Sequence, residues 1–320
     1  MSLQVAGIEI RPKVIAPLDP EFLPASLFNR AYHELARRNS PVPLRLALER
    51  SDGSISSFDT CIVPTKAGHL EATLLYVERI VKFLLWQRGG WKLYVGGPAE
   101  IGQHIKSVYS ASGARKFDFD FMTTVYERTF EVVITSAESV PHAKEATVPL
   151  GRHLKGCRVG FDLGASDRKA SAVIDGEPVF SEEIVWDPKT ATDPEYQYQG
   201  VMDSIRRAAS HLPRLDAVGG SAAGVYINNR VRVGSLYRGI SPKDFAEKIA
   251  PLFLRIRKEL GVPMEVVNDA YQAAGMAAIQ RTHRLQRIVR DAMVVTQHAA
   301  LSELNYESAG ALFAKLGIKR

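Results

Sequence analysis

Residues 159–180, VGFDLGASDRKASAVIDGEPVF, constrain the fold of this chain more than any other segment. Apolar residues alternate with polar or small residues on both sides of two short turns, and this period of two is typical of half-buried β-strands. Small residues fill the first turn, and an aspartate precedes it. The segment therefore predicts three consecutive strands joined by two tight turns near the middle of the chain.

The composition indicates a well-packed soluble protein of one or two domains. The chain has 320 residues, of which 46% are hydrophobic and 24% charged, and these values are ordinary for globular domains. The net charge of +6 suits anionic ligands such as nucleotides, but the basic residues are scattered, so nucleic acid is not expected as a partner. Two distant cysteines predict neither a disulfide framework nor a zinc site. Since no apolar stretch approaches the ~20 residues of a membrane span, we predict a cytoplasmic protein.

The first half of the chain alternates strand and helix patterns. Apolar spacing predicts helices at residues 25–38 and 70–87, the second ending at Gly89-Gly90. A Ser-Asp-Gly turn inside PLRLALERSDGSISSFDTCIVP predicts a hairpin. FDFDFM, residues 117–122, alternates aromatic residues with acidic ones and predicts a strand with its phenylalanines inward.

The second half continues this mixed α/β pattern. SPKDFAEKIAPLFLRIRKELG has a serine cap, a proline at the first helical position and a glycine after its end, and it predicts one helix. VPLGRHLKG separates the two halves, with the boundary near residues 151–156. The predicted domains are an N-terminal α/β domain of uncertain role, 1–150, and a second lobe with a helical C-terminus, 151–320.

The first turn of the central segment has two interpretations. Backbone amides that converge at small residues bind phosphate oxygens, and Ser166 and Lys169 would add donors beside Gly164. Asp162, at the strand end, would hold a magnesium ion through water. Alternatively, Asp162 and Ser166 only satisfy the backbone of an ordinary hairpin. The turn alone leaves both interpretations open.

A glycine-rich strand end follows in AVGGSAAGVYINNR. Small residues at Gly220, Ser221 and Gly224 would let a ligand approach the backbone closely, and Asn228 or Asn229 would hydrogen-bond a hydroxyl-rich ligand. The same residues also suit an ordinary turn. This segment is therefore a candidate substrate site that the pattern alone does not establish.

A third segment, VPMEVVNDAYQAAGMAA, predicts a buried strand that ends at Asn268 and Asp269. Ligands of open α/β sheets bind outside the carboxyl ends of the strands, where Asp269 would accept a proton from an attacking sugar hydroxyl. The alternative is that Asp269 caps the helix that follows.

The order and spacing of these three segments resemble the ROK sugar-kinase family, which belongs to the actin-like ATPase superfamily. VGFDLGASDRKASAVID is similar to the family's first phosphate motif, and VPMEVVNDAYQAAGMAA to its strand with the catalytic aspartate. GGSAAGVY is a looser match to the turn beside the sugar. The resemblance covers roughly residues 158–278. It implies an actin-like ATPase (ribonuclease H-like) lobe with a mixed sheet flanked by helices, plus a second α/β domain at the N-terminus.

Carried over by position, the resemblance assigns a role to each motif residue. Asp162 would serve magnesium and phosphate, and Gly164 and Ser166 would form the phosphate turn. Asn268 would bind a sugar hydroxyl, and Asp269 would be the general base.

The chain departs from the family after Asp269. A second phosphate hairpin, a zinc motif in many members and an adenosine motif follow in the family, and none of them follows here. A permuted arrangement would place Gly96 and Gly97 of the N-terminal half near the nucleotide. The alternative is that these glycines form a strand-to-helix turn in an accessory domain.

We therefore predict a sugar-kinase-like protein that uses ATP and Mg²⁺ to phosphorylate a hexose hydroxyl. The alternative is a non-catalytic sugar- or nucleotide-binding sensor or assembly protein with an incomplete kinase site. The expected partners are a sugar and a nucleotide, with no membrane, and a homodimer is left open.

Overall fold

The computed structural model describes residues 2–15, 17–144 and 155–268. Contacts along the chain divide it into two compact units, Met1–Val148 and Pro149–Arg320. Each unit has its own hydrophobic core and its own sheets. Within the part of the chain that is described, every helix is too short or too polar to cross a bilayer.

The first unit is a four-stranded mixed sheet packed against helices, with a small hairpin at its start. Its strands are β1 (Leu3–Val5), β2 (Ile8–Ile10), β3 (Val42–Glu49), β4 (Ile55–Ile62), β5 (Lys92–Gly96) and β6 (Glu131–Thr135). Its helices are α1 (Ala25–Arg38), α2 (Leu70–Arg88), α3 (Ala99–Val108) and α4 (Lys116–Tyr126), with 3₁₀ turns at Thr65–Ala67 and Ala137–Ser139. The strand order is β4-β3-β5-β6, in which β5 and β6 are parallel and the other pairs antiparallel.

The predicted helices and hairpin of this unit are present. Helix α2 ends at Gly89, whose φ of 68° is in the left-handed region that glycine adopts without strain. The β3–β4 turn contains Gly53 with φ 75°, and Asp52 Oδ1 accepts a hydrogen bond from the Ser54 amide at 2.9 Å. Local turn chemistry therefore forms these boundaries as the sequence indicates.

The strand predicted at residues 117–122 is wrong, because this segment lies inside helix α4. In a helix, residues four apart share a face, and the buried positions are Asp118, Met122 and Val125. Phe117 is 60% exposed. The Trp86 indole Nε1–H donates to the buried Asp118 carboxylate at 2.5 Å. The alternation of phenylalanine and aspartate was misleading because tertiary packing places an aspartate inward and a phenylalanine outward.

The second unit is a five-stranded mixed sheet with a small hairpin and helices. Its strands are β7 (Cys157–Leu163), β8 (Asp167–Ile174), β9 (Glu177–Val185), β10 (Ala217–Ala222), β11 (Val225–Ile227), β12 (Arg230–Val233) and β13 (Met264–Asn268). Its helices are α5 (Pro194–Ala209), α6 (Pro242–Asp244) and α7 (Leu252–Leu260), with a 3₁₀ turn at Ser235–Tyr237. The sheet order is β13-β10-β7-β8-β9.

Strands β7, β8 and β9 form the predicted three-stranded antiparallel meander. Strands β10 and β13 add in parallel on the other side of β7, after crossovers that contain α5 and α7. One face of the sheet is apolar, because alternate residues of β7, namely Val159, Phe161 and Leu163, are buried with the apolar residues of α5 and α7. This unit is a mixed sheet flanked by helices, as predicted for this lobe. Together with the mixed α/β first unit, it confirms the predicted fold class.

The helix predicted from SPKDFAEKIAPLFLRIRKELG is interrupted by a π-helical turn, Phe245–Ile249, between α6 and α7. Ser241 caps its start, since its side chain accepts a hydrogen bond from the Asp244 amide, and Gly261 ends it in the left-handed region. Pro251 has no amide hydrogen, and the wider turn places the Ala250 amide on the Phe245 carbonyl at 2.7 Å. The interior proline thus explains the irregularity that periodicity did not indicate.

Candidate functional site

The carboxyl ends of β7, β10 and β13 lie in register. Ala222 of β10 pairs with Leu163 of β7 on one side and with Asn268 of β13 on the other. Since all three strands are parallel, their last residues meet at one edge of the sheet, the position where open α/β sheets bind ligands. The register brings the predicted residues Asp162 of β7 and Asn268 of β13 to the same edge of the sheet, with β10 between their strands.

A polar row crosses the sheet one residue inside that edge, on the face opposite the apolar core. Its members are register partners on adjacent strands and their side chains share one face: Ser221 of β10, Asp162 of β7, Lys169 of β8 and Glu183 of β9. Ser221 is 4% exposed, and its hydroxyl donates to Asp162 Oδ1 at 2.5 Å. The structure thus brings three of the predicted residues, Ser221, Asp162 and Lys169, into one row.

The β7–β8 turn is tight, and Trp186 donates hydrogen bonds to two of its carbonyl groups. The Gly164 amide donates to the Asp167 carbonyl at 2.9 Å, and the Trp186 amide donates to the Ser166 carbonyl at 3.0 Å. The Trp186 indole N–H donates to the Gly164 carbonyl at 2.9 Å. A Cβ on Gly164 would lie 3.0 Å from the Asp167 carbonyl oxygen, so the close approach of the two strands favours glycine there.

The Asp167 carboxylate binds both predicted side-chain donors of this turn. Its Oδ2 accepts from the Ser166 hydroxyl at 3.1 Å, and its Oδ1 accepts from Lys169 Nζ at 2.9 Å. The hydrogen bond from Lys169 holds the pKa of the Asp167 carboxyl below its usual range, and Ser166 acts in the same direction. The same bond raises the pKa of Lys169, with a further contribution from Glu183, whose Oε2 lies 3.9 Å from Nζ. The ammonium therefore stays charged at neutral pH.

Gly220 within β10 and Gly224 just after it have packing roles in the structure. A Cβ on Gly220 would lie 2.1 Å from Cζ of the Phe161 ring, and one on Gly224 would lie 2.5 Å from the Val233 carbonyl oxygen. The Gly224 carbonyl accepts a hydrogen bond from the Asn268 side chain at 2.7 Å. Asn268 thus joins the end of β13 to the loop after β10.

Asn229, a predicted ligand for a hydroxyl-rich molecule, is instead engaged by the protein. It is 4% exposed, its Nδ2 donates to the Met264 carbonyl at 3.0 Å, and its Oδ1 accepts from the Val266 amide at 2.8 Å. It therefore satisfies the backbone of β13 along the side that has no strand partner in the described sheet.

Gly96 and Gly97 lie in the first unit, at the turn from β5 to α3. A Cβ on Gly96 would meet the Val140 side chain at 2.2 Å, and one on Gly97 would meet the Leu44 side chain at 2.9 Å. Close packing inside the first unit is thus one reason for glycine at both positions. Their predicted role near a nucleotide stays a prediction.

The single carboxylate of Asp162 is a suitable ligand for a magnesium ion. No group of three or more metal-ligating side chains occurs in residues 2–15, 17–144 and 155–268, and Mg²⁺ is commonly held by one or two carboxylates together with water and substrate phosphates. Asp162 Oδ1 is fixed by Ser221 at the edge beside the turn, so this donor fits such an ion. The predicted general base, Asp269, lies outside the described residues.

Sequence reasoning missed Asp167, Trp186 and Glu183. The period of two along β8 could have indicated Asp167. Residues two apart in a strand share a face, so Asp167 lies beside Lys169. Glu183 and Trp186 reach the site only through the β8–β9 register and the fold of the chain after β9. No local pattern indicates those contacts.

Comparison with known proteins gives short or distant similarities. A family model described as the acyl-CoA dehydrogenase C-terminal domain matches residues 261–303, a range that includes β13. The indole-3-acetate monooxygenase of Pseudomonas putida is 44% identical over 52 residues, which is 16% of this chain and 13% of the monooxygenase. The chain therefore spans a small part of this curated relative, and neither match shows a family for it.

Similar solved structures include proteins of the ROK family. A ROK hexokinase from Thermus thermophilus is 18% identical over 37% of this chain and 36% of its own, with a TM-score of 0.28. Lmo2764, a putative N-acetylmannosamine kinase from Listeria monocytogenes, is 17% identical over 36% of each chain, also at 0.28. RuvC from T. thermophilus, in complex with a Holliday junction substrate, is 13% identical over 50% of this chain and 96% of its own, at 0.25. At these TM-scores the matches carry no argument about this chain, and its mixed α/β fold is described by its own strand order and register.

Proposed function

We propose that this protein transfers the γ-phosphoryl group of ATP to a hydroxyl of a hexose. The observation that supports the proposal best is the alignment of Asp162, Ser221 and Asn268 at the carboxyl edge of three parallel strands, beside a tight turn with a hydroxyl and an ammonium group. This arrangement offers donors for phosphate, one carboxylate for magnesium and an amide for a sugar in one place. Phosphoryl transfer depends mainly on such positioning and on charge stabilisation.

In this proposal the β7–β8 turn binds phosphate oxygens through Ser166 and Lys169, and Asp162 holds Mg²⁺. The ion supplies positive charge that offsets the negative charge of the phosphates. Asn268 donates to or accepts from a sugar hydroxyl. Asp269, the next residue of the chain, takes the proton of the attacking hydroxyl. The sugar oxygen forms a bond to the γ-phosphorus while the bond to the β–γ bridging oxygen breaks, and ADP leaves with that electron pair.

A coupled assay of ADP release across a panel of hexoses tests the proposal. We expect hexose-dependent release with the unmodified chain and a loss of at least about a hundredfold with Asp269→Asn, because removal of a general base costs 10² to 10⁴ in rate. Asp175→Asn is the matched control, since Asp175 lies between β8 and β9 at the opposite end of the strands. No hexose-dependent release, or full activity of Asp269→Asn, would contradict the proposal.

A second candidate is a ligand-binding sensor without turnover. It is favoured by the match of residues 261–303 to an acyl-CoA dehydrogenase C-terminal domain, in the part of the chain where the resemblance to ROK kinases leads one to expect a second phosphate hairpin. This candidate would be favoured if a hexose raises the melting temperature of the protein but no hexose causes release of ADP. Release of ADP would exclude it.

A further inference from the structure

The anion-binding groups of the β7–β8 turn are already bonded to a carboxylate of the chain itself. Asp167 accepts from the Ser166 hydroxyl at 3.1 Å and from the Lys169 ammonium at 2.9 Å. These are the two side-chain donors that a phosphate at this turn would use. A carboxylate and a phosphate offer the same kind of charged oxygen acceptor, so the two compete for one set of donors.

The local charge also opposes a second anion. Lys169 is the only cation in the polar row, and its ammonium lies near Asp167 and Glu183, with Asp162 directly opposite on β7. Three carboxylates therefore surround one ammonium. Each uncompensated carboxylate repels a bound anion, and the repulsion is stronger beside protein than in bulk water.

We propose that Asp167 is an internal competitor for phosphate, whose carboxylate occupies the anion position of the β7–β8 turn and sets the affinity of the turn for phosphate groups. The inference rests on the proposed function, because it concerns the same turn. Binding of a phosphate requires the Asp167 carboxylate to rotate away and to release Ser166 and Lys169. A magnesium ion bound with the phosphate lowers the cost of that exchange, because it offsets the surrounding carboxylates.

The backbone of the turn does not depend on the Asp167 side chain. The Gly164 amide donates to the main-chain carbonyl of residue 167, and Trp186 binds the carbonyls of Gly164 and Ser166. Asp167→Asn therefore removes one negative charge while the turn keeps its shape. Glu183→Gln is the matched control, since it removes a charge that faces the same ammonium at 3.9 Å but has no contact with Ser166 among the described hydrogen bonds.

The test is titration calorimetry of the full chain with inorganic pyrophosphate at one fixed ionic strength, without magnesium. We expect Asp167→Asn to bind pyrophosphate about tenfold more tightly than the unmodified chain. We expect the affinity of Glu183→Gln for pyrophosphate to rise less than about threefold. Asp167→Ser is a second variant that removes the same charge and keeps a turn-forming residue. If neither Asp167 variant binds more tightly, or if Glu183→Gln gains as much, the inference is overturned.

The outcome is independent of catalysis. If no hexose releases ADP but the Asp167 variants gain affinity for pyrophosphate, the proposed kinase activity fails and the inference about the turn stands. If the unmodified chain turns over and the Asp167 variants gain nothing, the inference fails alone.

Discussion

The Ser221 hydroxyl donates a hydrogen bond of 2.5 Å to Asp162 Oδ1 and joins β10 to β7 one residue before each strand ends. The hydroxyl is buried and fixes one carboxylate oxygen. Oδ2 accepts no hydrogen bond from the described residues. In the proposed function, this bond orients the carboxylate that would hold magnesium.

Ser221→Ala tests this relationship. Without the hydroxyl, Asp162 is no longer oriented, and we expect hexose-dependent ADP release at limiting Mg²⁺ to fall about tenfold, as for other groups that orient a ligand. Excess Mg²⁺ should restore part of the rate. The control is Ser171→Ala on the same face of β8, farther from the edge. Equal effects of the two substitutions would show that Ser221 does not act through Asp162.

Gly220→Ala tests the close packing of β10 against Phe161. The new Cβ would lie 2.1 Å from Cζ of the Phe161 ring, so we expect the free energy of unfolding to fall by about 2 kcal/mol or more. Gly219→Ala is a control one residue away, where a Cβ meets nothing within 4 Å. It should be neutral or stabilising by less than about 1 kcal/mol. Urea unfolding measures both, and a Gly220→Ala variant as stable as Gly219→Ala would contradict the packing.

Asp118→Ala tests the buried aspartate of α4. The substitution leaves the Trp86 indole N–H without its acceptor and Lys82 without its ion pair, so we expect a loss of about 3 kcal/mol in the free energy of unfolding. Asp120→Ala on the same helix removes an exposed pair with Lys116 and should cost less than about 1 kcal/mol. Similar losses for the two variants would contradict a stabilising role for the buried contacts of Asp118.

The Glu182–Arg207 pair predicts a dependence of stability on pH. Arg207 Nε and Nη2 donate to both oxygens of Glu182 at 2.6 to 3.0 Å, which lowers the pKa of Glu182 from its ordinary value of 4.5. Because the folded pKa is below the unfolded one, the pair stabilises the fold fully above the unfolded value. This stabilisation is lost as the pH falls through the folded pKa.

Melting temperatures measured from about pH 3 to pH 8 check this expectation, because this interval includes the ordinary pKa of carboxyl groups. Glu182→Gln should melt below the unmodified chain at neutral pH, and the gap should close as the solution becomes acidic. Glu177→Gln, an exposed position on the same strand, should show no such convergence. A gap that stays constant with pH would contradict an ionic origin.

The sequence by itself determined the elements whose signals are local. The turn at Asp52-Gly53, the end of α2 at Gly89 and the three strands β7–β9 follow from short-range turn chemistry and from a period of two, so they were predictable. The sequence also indicated that Asp162 and Asn268 lie at the ends of strands, and parallel strands present their carboxyl ends at one edge.

Only the tertiary structure decided which side chains meet at that edge. Asp167, Glu183 and Trp186 reach the turn through strand register and through the path of the chain after β9, both of which depend on contacts distant in sequence. Packing also placed Asp118 inside and Phe117 outside, against the alternating pattern. A sequence pattern shows which residues share a face, but whether a glycine or an aspartate there serves a ligand or the protein depends on the neighbour that the fold brings to it.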